Sequence, residues 1–274
     1  MLSPQAQEIV TLARQAGAAI MHVYRNMATE VEIKSDGSPL TQADMAAHRI
    51  IDAGLRDANL ANPGLPVLSE ENADIAFAER QQWSRYWLVD PLDGTKEFIA
   101  RNDEFTVNIA LIENHVPVLG VVYAPALDLL YVGERQGDGA AVAFRQQAGG
   151  ALEPIRCVSW SPDSGRTLRA LGSRRHGLEK IATLLAKLPY TLDNRGSALK
   201  ICMVAEGAAD LYPRMGPTSE WDTAAGQCVV ECAGGALLGT DLQPFRYNTR
   251  DSVLNPDFLV FGVDYQQWSS LLQL

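Results

Sequence analysis

The sequence predicts an α/β chain, with an α+β first half over residues 1–150 and an α/β second half over residues 151–274. Three observations carry this. Two stretches near the start repeat apolar residues at helical spacing. Four strand patterns follow one another between 105 and 144 with turn residues between them, as in an antiparallel meander. From 168 onward, strand and helix patterns alternate, as expected of a helix-covered sheet.

The first helix is predicted over 4–24. Ile9, Val10, Leu12, Ala13, Ala16, Ile20 and Val23 form its apolar stripe, Ser3 is the N-cap and Pro4 takes the first helical position. Residues 31–41 begin as a strand and continue through the turn residues Asp36-Gly37-Ser38-Pro39. Thr41 then caps a second helix reaching about Arg56, with Ala43, Ala46, Ala47, Ile50, Ile51 and Leu55 apolar and Asp44 in its first turn. Asp44 there has an ordinary explanation as well, since a first-turn carboxylate complements the helix dipole. A short strand over 65–68 ends in Ser69-Glu70-Glu71-Asn72.

The organising stretch is Trp87-Leu88-Val89-Asp90-Pro91-Leu92-Asp93-Gly94-Thr95-Lys96-Glu97-Phe98. The apolar run 86–89 predicts a buried strand, and Pro91 predicts its end, because proline donates nothing to a ladder. Gly94 allows a tight turn and Thr95 suits the start of a helix. Asp90 thus closes one strand as Glu70 closes another, so neighbouring strands bring carboxylates to one point. Clustered carboxylates suit a hard, oxygen-loving cation.

Strands follow at 105–112, 118–123, 129–133 and 140–144, and residues 146–153 are the candidate boundary between the halves. The second half reads as strand 168–172, helix 177–188, strand 190–192, Gly196-Ser197, helix 198–206, strand 209–212 and helix 220–233. Short strands at 237–238 and 258–261 and a closing helix at 265–274 complete it. Asp222 stands at the start of the 220–233 helix, where capping alone would explain it.

The chain has 274 residues and a formal net charge of −10, which argues against nucleic acid and against adhesion to anionic lipid. An anionic substrate then requires metal ions or a local basic rim. The four cysteines, Cys157, Cys202, Cys228 and Cys232, are too sparse for a disulfide framework and read as buried thiols. No signal peptide and no membrane span are expected, so the reducing cytoplasm is the expected location, with peripheral attachment to the inner face of the cell membrane left open. Monomer and homodimer are both open. The four histidines, His22, His48, His115 and His176, lack spaced partners, and His48 reads as packing or solvated.

Taken together, Glu70-Glu71, Asp90-Pro91-Leu92-Asp93-Gly94-Thr95 and Trp221-Asp222-x-Ala224-Ala225-Gly226 resemble the three motifs of the inositol monophosphatase superfamily, which comprises Mg²⁺-dependent, lithium-sensitive phosphatases. Within it, Leu68-Ser69-Glu70-Glu71-Asn72, Gly94-Thr95-Lys96-Glu97-Phe98, Gly196-Ser197-x-Leu199-Lys200 and Leu211-Tyr212-Pro213-Arg214 are most similar to the bacterial 3'(2'),5'-bisphosphate nucleotidases of sulfate assimilation. The resemblance implies a layered αβαβα sugar-phosphatase fold with the site between the halves. It implies Mg²⁺, two or three ions. Glu70, Asp90 and the carbonyl of Leu92 would hold one, and Asp90, Asp93 and Asp222 a second, with a third near Glu70. Such a pair, about 3.5–4 Å apart, serves an in-line displacement at phosphorus.

By the same resemblance, Thr95 hydrogen-bonded to Asp44 would orient and help deprotonate the attacking water, with no phosphoenzyme. Backbone N–H groups of Gly94 and Thr95 would receive phosphate oxygens. Ser197, Lys200, Arg214 and Asp222 are the substrate-side candidates, with Arg174 a further cation and Lys34 and Asp36 on a loop near the metals. The expected substrate is a small nucleotide, adenosine 3',5'-bisphosphate, hydrolysed to AMP and phosphate, with 3'-phosphoadenylyl sulfate as a second. Two rivals are an inositol or sugar monophosphatase and a catalytically idle phosphate-binding module.

Overall fold

The computed structural model describes residues 1–26, 31–33, 39–57, 63–173 and 177–272. Lys34, Asp36, Arg174 and His176 lie outside the described residues. The first half begins with helix α1 (Pro4–Asn26), strands β1 (Val31–Ile33) and β2 (Pro39–Thr41), and α2 (Gln42–Leu55). Next come β3 (Val67–Ser69), a 3₁₀ turn at Glu70–Asn72, α3 (Phe77–Arg80), β4 (Arg85–Asp93) and α4 (Thr95–Ile99). Strands β5 (Thr106–Glu113), β6 (Val116–Ala124), β7 (Leu129–Arg135), β8 (Ala141–Gln147) and β9 (Glu153–Pro154) follow. The second half holds β10 (Leu168–Gly172), α5 (Leu178–Leu184), β11 (Tyr190–Asn194), α6 (Leu199–Ala205) and β12 (Leu211–Arg214). It ends with α7 (Glu220–Cys232), β13 (Ala236–Gly239), β14 (Phe258–Phe261) and a 3₁₀ turn at Tyr265–Ser270.

The strands β3 to β9 form one sheet in sequence order, with β3 parallel to β4 and every later pair antiparallel. The second sheet runs β11-β10-β12-β14-β13. Strand alternation sorts the first sheet's side chains into two cores. Trp87, Val89, Val107, Ile109, Val121 and Val132 pack with α1 and α2. Tyr86, Leu88, Ala110, Val122 and Tyr131 pack on the other side with α6, α7 and the inner face of the second sheet. The outer face of the second sheet, with Ala170, Leu211, Leu259 and Phe261, is covered by α5, Trp160 and Trp268. Read through, these are five layers in the order αβαβα.

Ser3 caps α1 as expected, its Oγ accepting from the N–H of Ala6 at 3.1 Å. Two expectations are corrected. Strand β4 does not stop at Pro91 but runs to Asp93, across a register shift between Asp90 and Asp93. A bulge takes Pro91 and Leu92 out of the ladder, which is where a strand tolerates proline. Within the described residues the closing segment is a 3₁₀ turn over Tyr265–Ser270 rather than the α-helix expected from 265 onward. The four cysteines are free and buried. Among the described residues, no helix is long and apolar enough to cross a membrane.

Helix α7 matters most to the site because it carries Asp222. It lies on a seat made by Gly120 and Gly133, which face each other across β6 and β7. A Cβ on Gly133 would come within 2.6 Å of Val229 Cα and 2.7 Å of the Cys228 carbonyl, and one on Gly120 would strike the Ala225 carbonyl. Backbone cannot yield as a side chain does. Gly133→Ala is therefore expected to destabilise the fold by about 1–3 kcal/mol, the range for overpacking a core, as read by urea unfolding. Wild-type stability in that variant would show that α7 is not seated as described.

Candidate active site

Four separate elements deliver the acidic side chains. Asp90 continues the parity of Tyr86 and Leu88 in β4, so it faces the layer of α6 and α7. Its Oδ1 accepts from the N–H of Leu92 at 3.0 Å, which holds the bulge closed. The bulge then delivers Asp93, and Gly94 turns the chain at φ +89° into α4. A side chain is disfavoured there on φ alone. A Cβ would also lie 3.3 Å from the Glu104 carbonyl and 3.4 Å from Ser197 Cβ.

Glu70 and Glu71 occupy the turn that follows β3, whose residue Ser69 pairs in register with Val89. Asn72 Oδ1 accepts from the Ser69 N–H at 2.8 Å and fixes that turn. Asp44 projects from the first turn of α2 and is buried. Asp222 enters at the third residue of α7, where its Oδ2 accepts from the Ser219 N–H at 3.0 Å in a capping box.

Two groups of carboxylates result, each with ligand atoms within 4.8 Å of one another: Asp90, Asp93 and Asp222, and Asp44, Glu70 and Glu71. The electrostatics bind them into one site. Asp90, only 2 % exposed, has its proton affinity driven far above the ordinary carboxylate range, first by burial and then by Glu70, Asp93, Asp222 and Asp44. Asp222 is pushed up by burial, then by Asp93 and Glu70. Asp93 is raised by burial, against the pull of Lys200, the Ala198 N–H and Asn108. Such a cluster is unfavourable until protons or cations neutralise it. All its side-chain donors are oxygens, and it suits a hard divalent ion rather than zinc with nitrogen or sulfur ligands.

Beside the acids opens a cavity of about 380 Å³, lined by Asp93, Gly94, Ser197, Lys200, Arg214 and Asp222, and also by Lys96, Ser173 and Arg195. The loop at 195–198 is its floor and is held from both halves of the chain. Asp93 Oδ2 accepts from the Ala198 N–H at 2.7 Å, and Thr106 Oγ1 donates to Ser197 Oγ at 3.2 Å. Glu104 Oε2 accepts from the Gly196 N–H at 2.7 Å. Lys200, 4 % exposed, donates to the carbonyls of Ser197 at 2.7 Å and Arg195 at 3.0 Å. Burial lowers its pKa to about 8, with Asp93 opposing. Arg214 donates to the Pro217 carbonyl at 2.9 Å. Thr95 Oγ1 lies 3.5 Å from the Leu92 carbonyl, at the long limit of a hydrogen bond.

Several members were not singled out as site residues from sequence. Glu71 joins Asp44 and Glu70. Lys96 and Arg195 line the cavity, and Glu104 anchors its floor from 92 residues away from Gly196. His48, read as packing or solvated, has Nδ1 3.1 Å from Ser69 Oγ and so ties α2 to the end of β3. One helical turn from Asp44 to His48 was visible in the sequence; the partner strand was not.

Comparison with known proteins places this geometry. A model of the inositol monophosphatase family matches residues 1–268. The chain is 46 % identical over 259 residues to a protein of Salmonella typhimurium named 3'(2'),5'-bisphosphate nucleotidase CysQ, covering 93 % of this chain and 98 % of that one. A protein of the same name from Haemophilus influenzae is 35 % identical over 269 residues, covering 97 % and 96 %. Among solved structures, CysQ from Bacteroides thetaiotaomicron superposes with a TM-score of 0.79 at 39 % identity, covering 94 % and 96 %. An inositol monophosphatase from Anabaena, at 24 % identity, shares the fold with a TM-score of 0.70 over 97 % and 93 %. The layered arrangement expected from sequence is therefore the fold of these relatives.

Proposed function

The chain belongs to the inositol monophosphatase family, and on that premise we propose that it is a 3'(2'),5'-bisphosphate nucleotidase that hydrolyses adenosine 3',5'-bisphosphate to AMP and phosphate. 3'-Phosphoadenylyl sulfate is a second substrate in this reading, and the role is in sulfate assimilation. The proposed cofactor is Mg²⁺. The observation that carries the reading is an all-carboxylate cluster, built on the buried Asp44 and Asp90, that opens directly onto a cavity rimmed with cations. The first suits metal and the second suits a further anionic group.

In this reading Glu70, Asp90 and the Leu92 carbonyl would hold one ion, and Asp90, Asp93 and Asp222 would hold the other, with Asp44 and Glu71 beside Glu70 where a third would sit. When bound, Mg²⁺ supplies charge neutralisation at the phosphoryl oxygens and a water acidic enough to attack near neutral pH. The rest falls to the chain itself. Thr95 would orient the attacking water and pass its proton toward Asp44. N–H groups of Gly94 and Thr95 receive phosphoryl oxygens. Asp222 and Ser197 contact the leaving nucleoside side, and Lys200 and Arg214 supply positive charge toward the second phosphate. Residues 1–150 then contribute most of the acids, and residues 151–274 contribute Asp222 and the substrate floor.

The test is phosphate release with Mg²⁺ from adenosine 3',5'-bisphosphate and, side by side, from inositol 1-phosphate. The expected result is a kcat/KM at least about tenfold higher for the bisphosphate, a difference of about 1.4 kcal/mol in transition-state binding, with inhibition by lithium. The reverse order of substrates would move the chain to the monophosphatase reading. No release from either would leave a binding module.

A further inference from the structure

We propose that Asn108 is a positioning residue of the metal site: its buried amide holds the Asp93 carboxylate in place for a divalent ion. The proposal rests on the metal reading of the acids given above and adds to it a side chain that is not itself a ligand.

Asn108 lies in β5 and is 1 % exposed. It pairs in register with Asp90 of β4, and Thr106, two residues earlier, pairs with Asp93. Side chains two apart along a strand share a face of the sheet. Asn108 therefore stands on the face of Ala110 and Ile112, in the layer of α6 and α7, together with Asp90. Across the ladder to β6 its partner is Val122. The Thr106 hydroxyl is committed to Ser197 Oγ at 3.2 Å. Asn108 is thus an amide set between apolar neighbours and the acids.

Neither Nδ2 nor Oδ1 of Asn108 has a hydrogen-bond partner among the described residues. An amide buried in that way is unfavourable, and an apolar side chain of similar shape would suit the core better. Tyr86 and Trp87 also bury a polar atom without a partner, but each fills the core with a ring. Asn108 brings no such body, so packing does not explain it.

Its amide does act on Asp93. Together with the Ala198 N–H, which donates to Asp93 Oδ2 at 2.7 Å, it favours the charged carboxylate. The donor is close to the carboxylate but without bonding geometry in the metal-free fold. A turn of Asp93 toward a cation would let the two bond, and the buried amide would then gain its partner. Groups behind a metal ligand fix its orientation in this way, and their loss weakens metal binding.

The experiment measures Mg²⁺ binding by calorimetry, and melting temperature in chelator, for wild type, Asn108→Leu and Asn108→Ala. Leucine keeps the branched shape and removes the amide; alanine removes it without adding bulk. Both variants are expected to bind Mg²⁺ about 10- to 100-fold more weakly. The metal-free melting temperature of Asn108→Leu should match or exceed wild type, because an unpartnered polar group has been removed. A merely structural asparagine would do the opposite, lowering that temperature and leaving Mg²⁺ affinity alone. Unchanged affinity in Asn108→Ala would overturn the proposal, whatever Asn108→Leu does, since bulk would then account for any loss in the latter. Failure of both variants to fold without metal would overturn it as well, by making the amide a requirement of the core. Wild type that takes up no Mg²⁺ would sink the metal reading, and this proposal with it. No substrate is needed, so an error in the choice of nucleotide shows only in the phosphate-release assay.

Discussion

Asp90→Asn is expected to abolish phosphate release while making the metal-free protein more stable. Asp90 is the one side chain shared by both proposed metal positions, and an amide removes its charge with almost no change in shape. We expect kcat/KM to fall by about 1,000-fold or more, the upper end of what loss of a single stabilising group costs. Stability should move the other way. In the metal-free fold this carboxylate is buried among Glu70, Asp93, Asp222 and Asp44, all of which oppose its ionisation. Removing it relieves repulsion and a desolvated charge, so the melting temperature without metal should match or exceed wild type. Added Mg²⁺ should raise the wild-type melting temperature and leave the variant nearly unmoved. A variant that keeps a tenth of wild-type activity would contradict the shared-ligand role.

The second large effect is the loss, on metal binding, of a downward dependence of stability on pH. Asp90, Asp93 and Asp222 all bind protons more tightly in the metal-free fold than in the unfolded chain. Above about pH 4, where the unfolded carboxylates have lost their protons, the folded ones still hold theirs. The folded state then binds more protons, so stability falls as pH rises through the raised folded values. Metal requires the ionised carboxylates, so its binding tightens over the same range and cancels that fall. Unfolding in chelator between about pH 5 and pH 8 should therefore slope downward, and unfolding at saturating Mg²⁺ should be nearly level over the same range. Parallel slopes in the two conditions would mean that these carboxylates do not carry the metal.

What was legible in the sequence, and what was not, follows from the range of the interactions. The strand at 258–261 and the start of α7 at Glu220 were readable because apolar pattern and helix-start chemistry are local. The acids at Glu70 and Asp90 were readable because each ends an apolar run. Pro91 misled because the bulge that accommodates it depends on Asp90 accepting from Leu92 and on the partner strand β5. Helix α3 has only four residues, too few to show a period. Lys200 was identified as a cation after Gly196-Ser197, but its burial depends on Tyr212 and on two loop carbonyls. Glu104 and Arg195 are 91 residues apart and meet only because the two halves close on one cavity. Sequence pattern shows which side chains end their elements; only the packing of layers shows which of them meet.

The central claim is that Glu70, Asp90, Asp93 and Asp222 grip divalent ions together. Anomalous diffraction from crystals soaked in Mn²⁺, a scattering substitute for Mg²⁺, tests it most directly. Two or more peaks are expected, one shared by Asp90, Asp93 and Asp222 and another between Asp90 and Glu70. Peaks elsewhere with none touching Asp90 would contradict the account.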